Sequence, residues 1–100
     1  MTNQAIDFPW EKKYVAADTV VAASPCVLHA IQFNGMTVVG DVSVYDGTDN
    51  TGTLIAVLTL RVAVQISCQP LTFLFDCEMT TGIFIDYDAS FVGNFTVMFK

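Results

Sequence analysis

The sequence has little positive charge. Four Lys and Arg residues stand against ten Asp and Glu residues in 100, which gives a formal net charge of -6 at pH 7. Electrostatic binding to nucleic acids or anionic membranes requires clustered basic residues, and here Lys12, Lys13, Arg61 and Lys100 are scattered. We therefore predict that the chain binds neither a nucleic acid nor a membrane.

Long apolar runs are also missing. The longest, residues 54–60, contains Thr59 and is followed by Arg61, and a transmembrane helix needs about 20 predominantly apolar residues. The first basic residue is Lys12, which leaves no charged segment ahead of an apolar one as in a secretory signal. We expect a soluble chain that is made in a cytoplasm and not processed.

Cysteine is scarce, and the number of cysteines is odd. Cys26, Cys68 and Cys77 form no CxxC motif and have no histidine at a metal-ligand spacing. This pattern fits neither a full disulfide framework nor a zinc site. Free thiols that pack as small hydrophobic residues are favoured, and a single disulfide between Cys68 and Cys77 stays an alternative.

Motifs for catalysis or cofactor binding are absent from the sequence. His29, the only histidine, lies in the apolar run VLHAI and is predicted to be a partly buried strand residue with one satisfied nitrogen. No GxSxG motif or phosphate-binding loop is present. We predict no enzymatic activity, no catalytic residues, no cofactor and no metal.

Two groups of acidic residues offer a weak calcium alternative. Asp86 and Asp88 share one face of a predicted strand, and the loop DGTDNTG at residues 46–52 supplies oxygen ligands. However, Gly47 and Thr48 interrupt the alternating acidic spacing of an EF-hand loop. A hairpin turn explains this loop as well.

Apolar residues, by contrast, are abundant: 53% of the chain is hydrophobic and 12% is aromatic. From Thr19 onward, short β-branched and aromatic runs alternate with turn signals such as Asn34-Gly35 and Asp46-Gly47. Residues 19–100 are therefore predicted to form an all-β domain, a small antiparallel β-sandwich of jelly-roll or Ig-like type with about seven or eight strands. The predicted strands are residues 19–23, 26–33, 41–45, 53–60, 62–67, 71–76, 83–87 and 95–99.

Residues 1–18 differ from the rest because they show no sustained hydrophobic period. Phe8, Trp10 and Tyr14 are large aromatics that stabilise a structure by burying area. We predict an extended N-terminal arm that packs these rings on a neighbouring chain. A short first strand at residues 13–17 is an equally weighted alternative.

Several predicted strands are apolar on both faces, most clearly residues 26–31, 54–58 and 62–66. A chain of this size makes two thin sheets at most, so another subunit is a natural cover for the second face. We predict a homo-oligomer, with a trimer favoured, and an interface that includes Ile55, Val57 and Val64.

Four segments from residue 40 onward resemble those of a known class of proteins. Residues 40–48 (GDVSVYDGT), followed by GTLIA at residues 52–56, TGIFI at residues 81–85 and the terminal strand from Phe95, resemble small virion proteins of tailed bacteriophages. The resemblance covers roughly residues 26–100. It implies a β-sandwich structural component of the virion, most simply a capsid decoration or cement protein that stabilises the shell and contacts the major capsid protein.

Two other roles remain alternatives. One is a phage neck, tail or baseplate structural protein. The other is a small carbohydrate-binding β-sandwich, in which an exposed aromatic ring such as Trp10 or Tyr45 stacks on a sugar.

Overall fold

The computed structural model describes residues 10–60 and 71–100. These residues form eight strands and contain no helix; in particular, no described helix is long and apolar enough to cross a membrane. The strands are β1 (Glu11–Val15), β2 (Thr19–Ala22), β3 (Cys26–Val38), β4 (Gly40–Asp46), β5 (Thr53–Leu60), β6 (Leu71–Met79), β7 (Ile83–Tyr87) and β8 (Val92–Phe99).

The strands form two antiparallel sheets of four. Sheet A has the order β1-β8-β3-β6, and sheet B has the order β2-β7-β4-β5. The pairs β1·β8, β2·β7, β3·β6 and β4·β5 nest inside one another along the chain. This is the strand order of a jelly roll. The predicted all-β sandwich is confirmed, and its topology is the jelly-roll alternative.

The core lies between the sheets, where alternate residues of each strand meet. Val42 and Val44 of β4 and Val97 of β8 are fully buried, and the rings of Phe33 and Phe95 pack with centroids 5.5 Å apart. The predicted one-sided alternation of the strands at residues 41–45 and 95–99 is confirmed. Burial of these side chains is the main driving force that holds the two sheets together.

The predicted turn at Asn34-Gly35 is wrong. β3 runs through this dipeptide to Val38 and pairs with β8 on both sides of it, with Phe33 opposite Phe95 and Gly35 opposite Asn94. No glycine of the described residues has the positive φ that an Asn-Gly hairpin turn requires. Long-range pairing overrides the local turn preference here. The Asn-Gly dipeptide instead coincides with a shift of register between Phe33 and Gly35 in the pairing of β3 with β8.

The N-terminal segment joins sheet A from Glu11 onward. β1 pairs with β8, Lys13 lies opposite Val97, and Val15 is fully buried in the core. Residues 11–15 are thus an edge strand, in line with the strand alternative for this segment. Phe8, the predicted strand at residues 62–67 with its Val64, and Cys68 lie outside the described residues.

Candidate functional site

Sheet B carries a row of apolar side chains on its outer face. The register places Val20 of β2 opposite Phe84 of β7, Phe84 opposite Tyr45 of β4, and Tyr45 opposite Leu54 of β5. We call these four residues the sheet B row. Leu54 is 51% exposed, and the rings of Tyr45 and Phe84 lie with centroids 6.4 Å apart. The row crosses the whole sheet without a charged side chain.

Two residues predicted to form an interface extend this apolar surface. Ile55 and Val57 both lie on β5, the strand at the edge of sheet B, and Val57 is 47% exposed. Val57 lies opposite Ser43, whose other neighbour is Asp86. By contrast, Leu58 is buried in the core. The predicted two-faced strand therefore has one face in the core and one face open to solvent.

Asp86 marks the acidic border of this surface. Partial burial raises the pKa of its carboxyl group, and the nearby Asp18 adds to the effect. Asp18 itself accepts a hydrogen bond from the backbone N–H of Tyr87 at 2.7 Å. A carboxylate whose charge is already disfavoured by partial burial, beside an apolar row, disfavours an acidic partner at that border.

A second cluster lies on sheet A around Trp10. The ring of Trp10 stacks on the imidazole of His29 with centroids 4.1 Å apart and an interplanar angle of 9°, and Nζ of Lys100 lies 5.6 Å from the Trp10 ring centroid. Trp10 therefore packs within its own chain. This contact fixes the start of β1. The predicted contact of Trp10 with a neighbouring chain stays a prediction.

The His29 side chain is oriented by a carboxylate. His29 Nδ1 lies 2.5 Å from Oδ1 of Asp76, and the imidazole is half-buried, as predicted for a strand residue with one satisfied nitrogen. An acid that orients an imidazole is part of a catalytic triad, but a nucleophile is the other required part. Among the described residues, no hydroxyl or thiol forms a hydrogen bond with His29. The pair therefore holds Trp10 in place.

Tyr14 lies away from both clusters, in a polar row on the outer face of sheet A. It is 63% exposed and lies opposite Thr96, which is opposite Gln32. The amide of Asn34 donates to the Thr96 hydroxyl at 3.0 Å. The predicted interface residues are thus divided between two faces of the sandwich, with Trp10 and Tyr14 on sheet A and Ile55 and Val57 on sheet B.

The carboxylates of the acidic loop residues accept hydrogen bonds from N–H and O–H groups of neighbouring turns. Asp46 accepts hydrogen bonds from the backbone N–H groups of Thr80, Thr81 and Gly82, which lowers the pKa of its carboxyl group. Asp49 accepts from the backbone and hydroxyl of Thr51. In the part of the chain that the structure describes, no three His, Cys, Asp or Glu side chains come together to hold a metal ion.

Two of these features were not predicted from the sequence. The His29–Asp76 pair joins residues 47 positions apart, and neither residue carries a local motif. The sheet B row joins single apolar residues of four strands. It becomes visible only once the pairing is known, because a one-residue shift of register turns a side chain to the opposite face.

Comparisons with known protein families, with curated proteins and with solved structures found no match.

Proposed function

We propose that the chain is a structural subunit of a bacteriophage virion, which acts by packing onto copies of itself and onto a shell protein such as the major capsid protein. The observation that carries this proposal is the sheet B row together with Ile55 and Val57. Soluble monomers seldom leave a contiguous apolar surface across a whole sheet, and such surfaces commonly mark protein–protein contacts.

The fold supports the same role. Jelly-roll sandwiches are used as capsid domains and also as lectins, so the topology by itself does not choose between them. A sandwich with one continuous hydrophobic core between its sheets suits a subunit whose role is mechanical. The proposal needs no catalytic residue and no cofactor.

Capsid decoration or cement is the role that we favour within the virion. An acidic domain with an apolar face adds cohesion between shell subunits by excluding water from their junctions. Neck, tail and baseplate positions use the same packing chemistry. Direct localisation of the protein in the particle therefore distinguishes these positions. In this proposal the protein is made in the host cytoplasm and is then incorporated into the virion.

The test is to purify phage particles that are assembled with the gene for this chain intact and particles that are assembled with the gene deleted. We expect the protein in many copies per intact particle, and we expect particles without it to lose their contents at a lower temperature. Immunogold labelling distinguishes a shell position from a neck or tail position. Absence of the chain from purified particles would refute the virion role.

One observation favours a second candidate, a carbohydrate-binding module. The exposed ring of Tyr14 lies on a strand position opposite Thr96, which is opposite Gln32 on the next strand, and sugars bind to an aromatic face flanked by hydrogen-bonding groups. A glycan array separates the two candidates: binding that is lost in Tyr14→Ala and kept in Tyr45→Ala would favour the module.

A further inference from the structure

β1 is anchored at one end and exposed along the rest of its length. Its first four residues are exposed, and only Val15 at its C-terminal end is buried in the core. The Tyr87 hydroxyl lies 3.3 Å from the carbonyl oxygen of Val15. Strand ends with few buried apolar contacts open more readily than the core of a fold. The contacts at the start of β1 therefore decide how firmly that end stays on the sheet.

Three side chains connect the start of β1 to strands with which it does not pair. Trp10 directly precedes β1, His29 lies on β3 and Asp76 lies on β6. The indole of Trp10 stacks on the imidazole of His29, and His29 Nδ1 contacts the Asp76 carboxylate. We call these three residues the β1 clasp. In the strand order β1-β8-β3-β6, the clasp reaches across β8 and ties the first strand of the sheet to the last.

One member of the clasp belongs to a residue type that changes charge near neutral pH. Histidine ordinarily does so between pH 5 and 8, and the side chain of His29 is 28% exposed, so protons reach it. A protonated imidazole donates a charge-assisted hydrogen bond to the Asp76 carboxylate. It also places a positive ring against the electron-rich face of the indole. A neutral imidazole keeps the stacking but loses both charge contacts.

We propose that the β1 clasp is a pH-sensitive latch, which holds the start of β1 on sheet A when His29 is protonated and loosens when His29 is neutral. Because protonation favours the closed clasp, the latch closes as the pH falls and opens as it rises through the histidine range. Val15 stays in the core in both states, so the movement is confined to the N-terminal end of β1. The inference goes beyond the proposed function and concerns the isolated chain.

The other charged groups around His29 do not reverse this direction. The charged side chains that border the clasp are Glu11 and Lys12 of β1, Glu78 of β6 and Lys100 after β8. They comprise two acids and two bases, so their charges balance. Asp76 contacts the imidazole directly, whereas Lys100 contacts the indole. Since the attraction between charges increases as their separation falls, the Asp76 carboxylate has the largest effect on the imidazolium.

Tryptophan fluorescence of the unmodified chain tests the latch. Trp10 is the only tryptophan and His29 the only histidine in the sequence, so each is observed without interference from a second residue of its type. We expect acrylamide, an uncharged quencher, to quench the Trp10 emission at least about twofold more strongly at about pH 8 than at about pH 5. Equal quenching at the two pH values would overturn the inference.

Hydrogen exchange locates the movement. After correction for the intrinsic effect of pH on exchange, we expect the protection of the amides at residues 11–13 to fall at least about threefold between about pH 5 and about pH 8. The Val15 amide is expected to change by less than about twofold, because its side chain stays in the core. An equal loss of protection in β1, β3 and β4 would mean that the whole fold weakens, and it would refute a local latch.

A matched pair of variants separates charge from packing. In His29→Gln the side chain stays neutral, and we expect Trp10 quenching to be the same at both pH values and close to that of the parent chain at about pH 8. Lys12→Gln removes a charge beside the clasp and is expected to keep the pH dependence. Circular dichroism confirms that both variants fold; if His29→Gln does not fold, Asp76→Asn replaces it and is expected to weaken the pH dependence. An undiminished pH dependence without His29, or without the Asp76 carboxylate, would overturn the latch.

Discussion

His29 and Asp76 meet at irregularities of two neighbouring strands. The pairing of β3 with β6 shifts register between Leu28 and Ala30, and on β6 the skipped residues include Asp76, which has a positive φ of 48°. The carboxylate contacts His29, on whose ring Trp10 is stacked. The distorted backbone at Asp76 thus places the carboxylate that contacts His29, and His29 in turn packs on Trp10 at the start of β1.

The left-handed conformation of Asp76 predicts a specific tolerance to substitution. Asn adopts this conformation readily and keeps an acceptor for His29, whereas a β-branched residue is strained there. We expect Asp76→Val to lower the free energy of unfolding by about 1–2 kcal/mol more than Asp76→Asn does. Urea unfolding measures the difference, and equal stabilities of the two variants would contradict the backbone account.

Trp10 and Tyr14 allow a comparison of two aromatic residues near one edge strand. Trp10 is half-buried between His29 and Lys100, whereas Tyr14 is mostly exposed. We expect Trp10→Ala to lower the free energy of unfolding by about 1 kcal/mol or more, and Tyr14→Ala to change it by less than about 0.5 kcal/mol. A larger effect of Tyr14→Ala in the isolated chain would show that Trp10 is not the anchor of β1.

Gly82 is a position where a side chain does not fit. A Cβ atom there would overlap the backbone oxygen of Ala22 and lie 3.1 Å from that of Gly47, whereas a Cβ at Gly35 meets nothing within 4 Å. We expect Gly82→Ala to destabilise the fold by about 1–3 kcal/mol. Gly35→Ala serves as the control, with an expected change within about 0.5 kcal/mol. Similar thermal midpoints for the two variants would refute this packing.

Asp88 makes stability depend on acid pH. Its carboxylate accepts hydrogen bonds from the backbone N–H groups of Asp41, Phe91 and Ser90, which lowers its pKa from the ordinary 3.8 to about 2. A lowered pKa in the folded state stabilises the fold fully above the ordinary value. We therefore expect this contribution to be lost as the pH falls from about 4 to about 2.

The control for this pH dependence is Asp88→Asn, which has no titrating group at that site. Unfolding midpoints measured across the same pH range are expected to fall less steeply in the variant than in the parent chain. Asp46 and Asp49 also have lowered pKa values, so a residual slope remains in both proteins. Identical slopes would show that Asp88 is not held by these hydrogen bonds.

The sequence predicts much of the fold and little of the surface. Strand positions follow from local alternation, so β5 and β7 have the predicted bounds, and Val42 and Val44 face the core as expected. Asn34-Gly35 fails as a turn because non-local pairing with β8 outweighs a local preference. The sheet B row depends on the registers of three strand pairs, which no short stretch of sequence specifies.

The proposed virion role requires the outer face of sheet B to be a packing surface in the particle. The most direct measurement is hydroxyl-radical footprinting of the aromatic side chains in the free chain and in intact particles. We expect Tyr45 and Phe84 to become protected in the particle. Unchanged reactivity of these two rings, with protection confined to Tyr14, would place the contact on sheet A and contradict packing through sheet B.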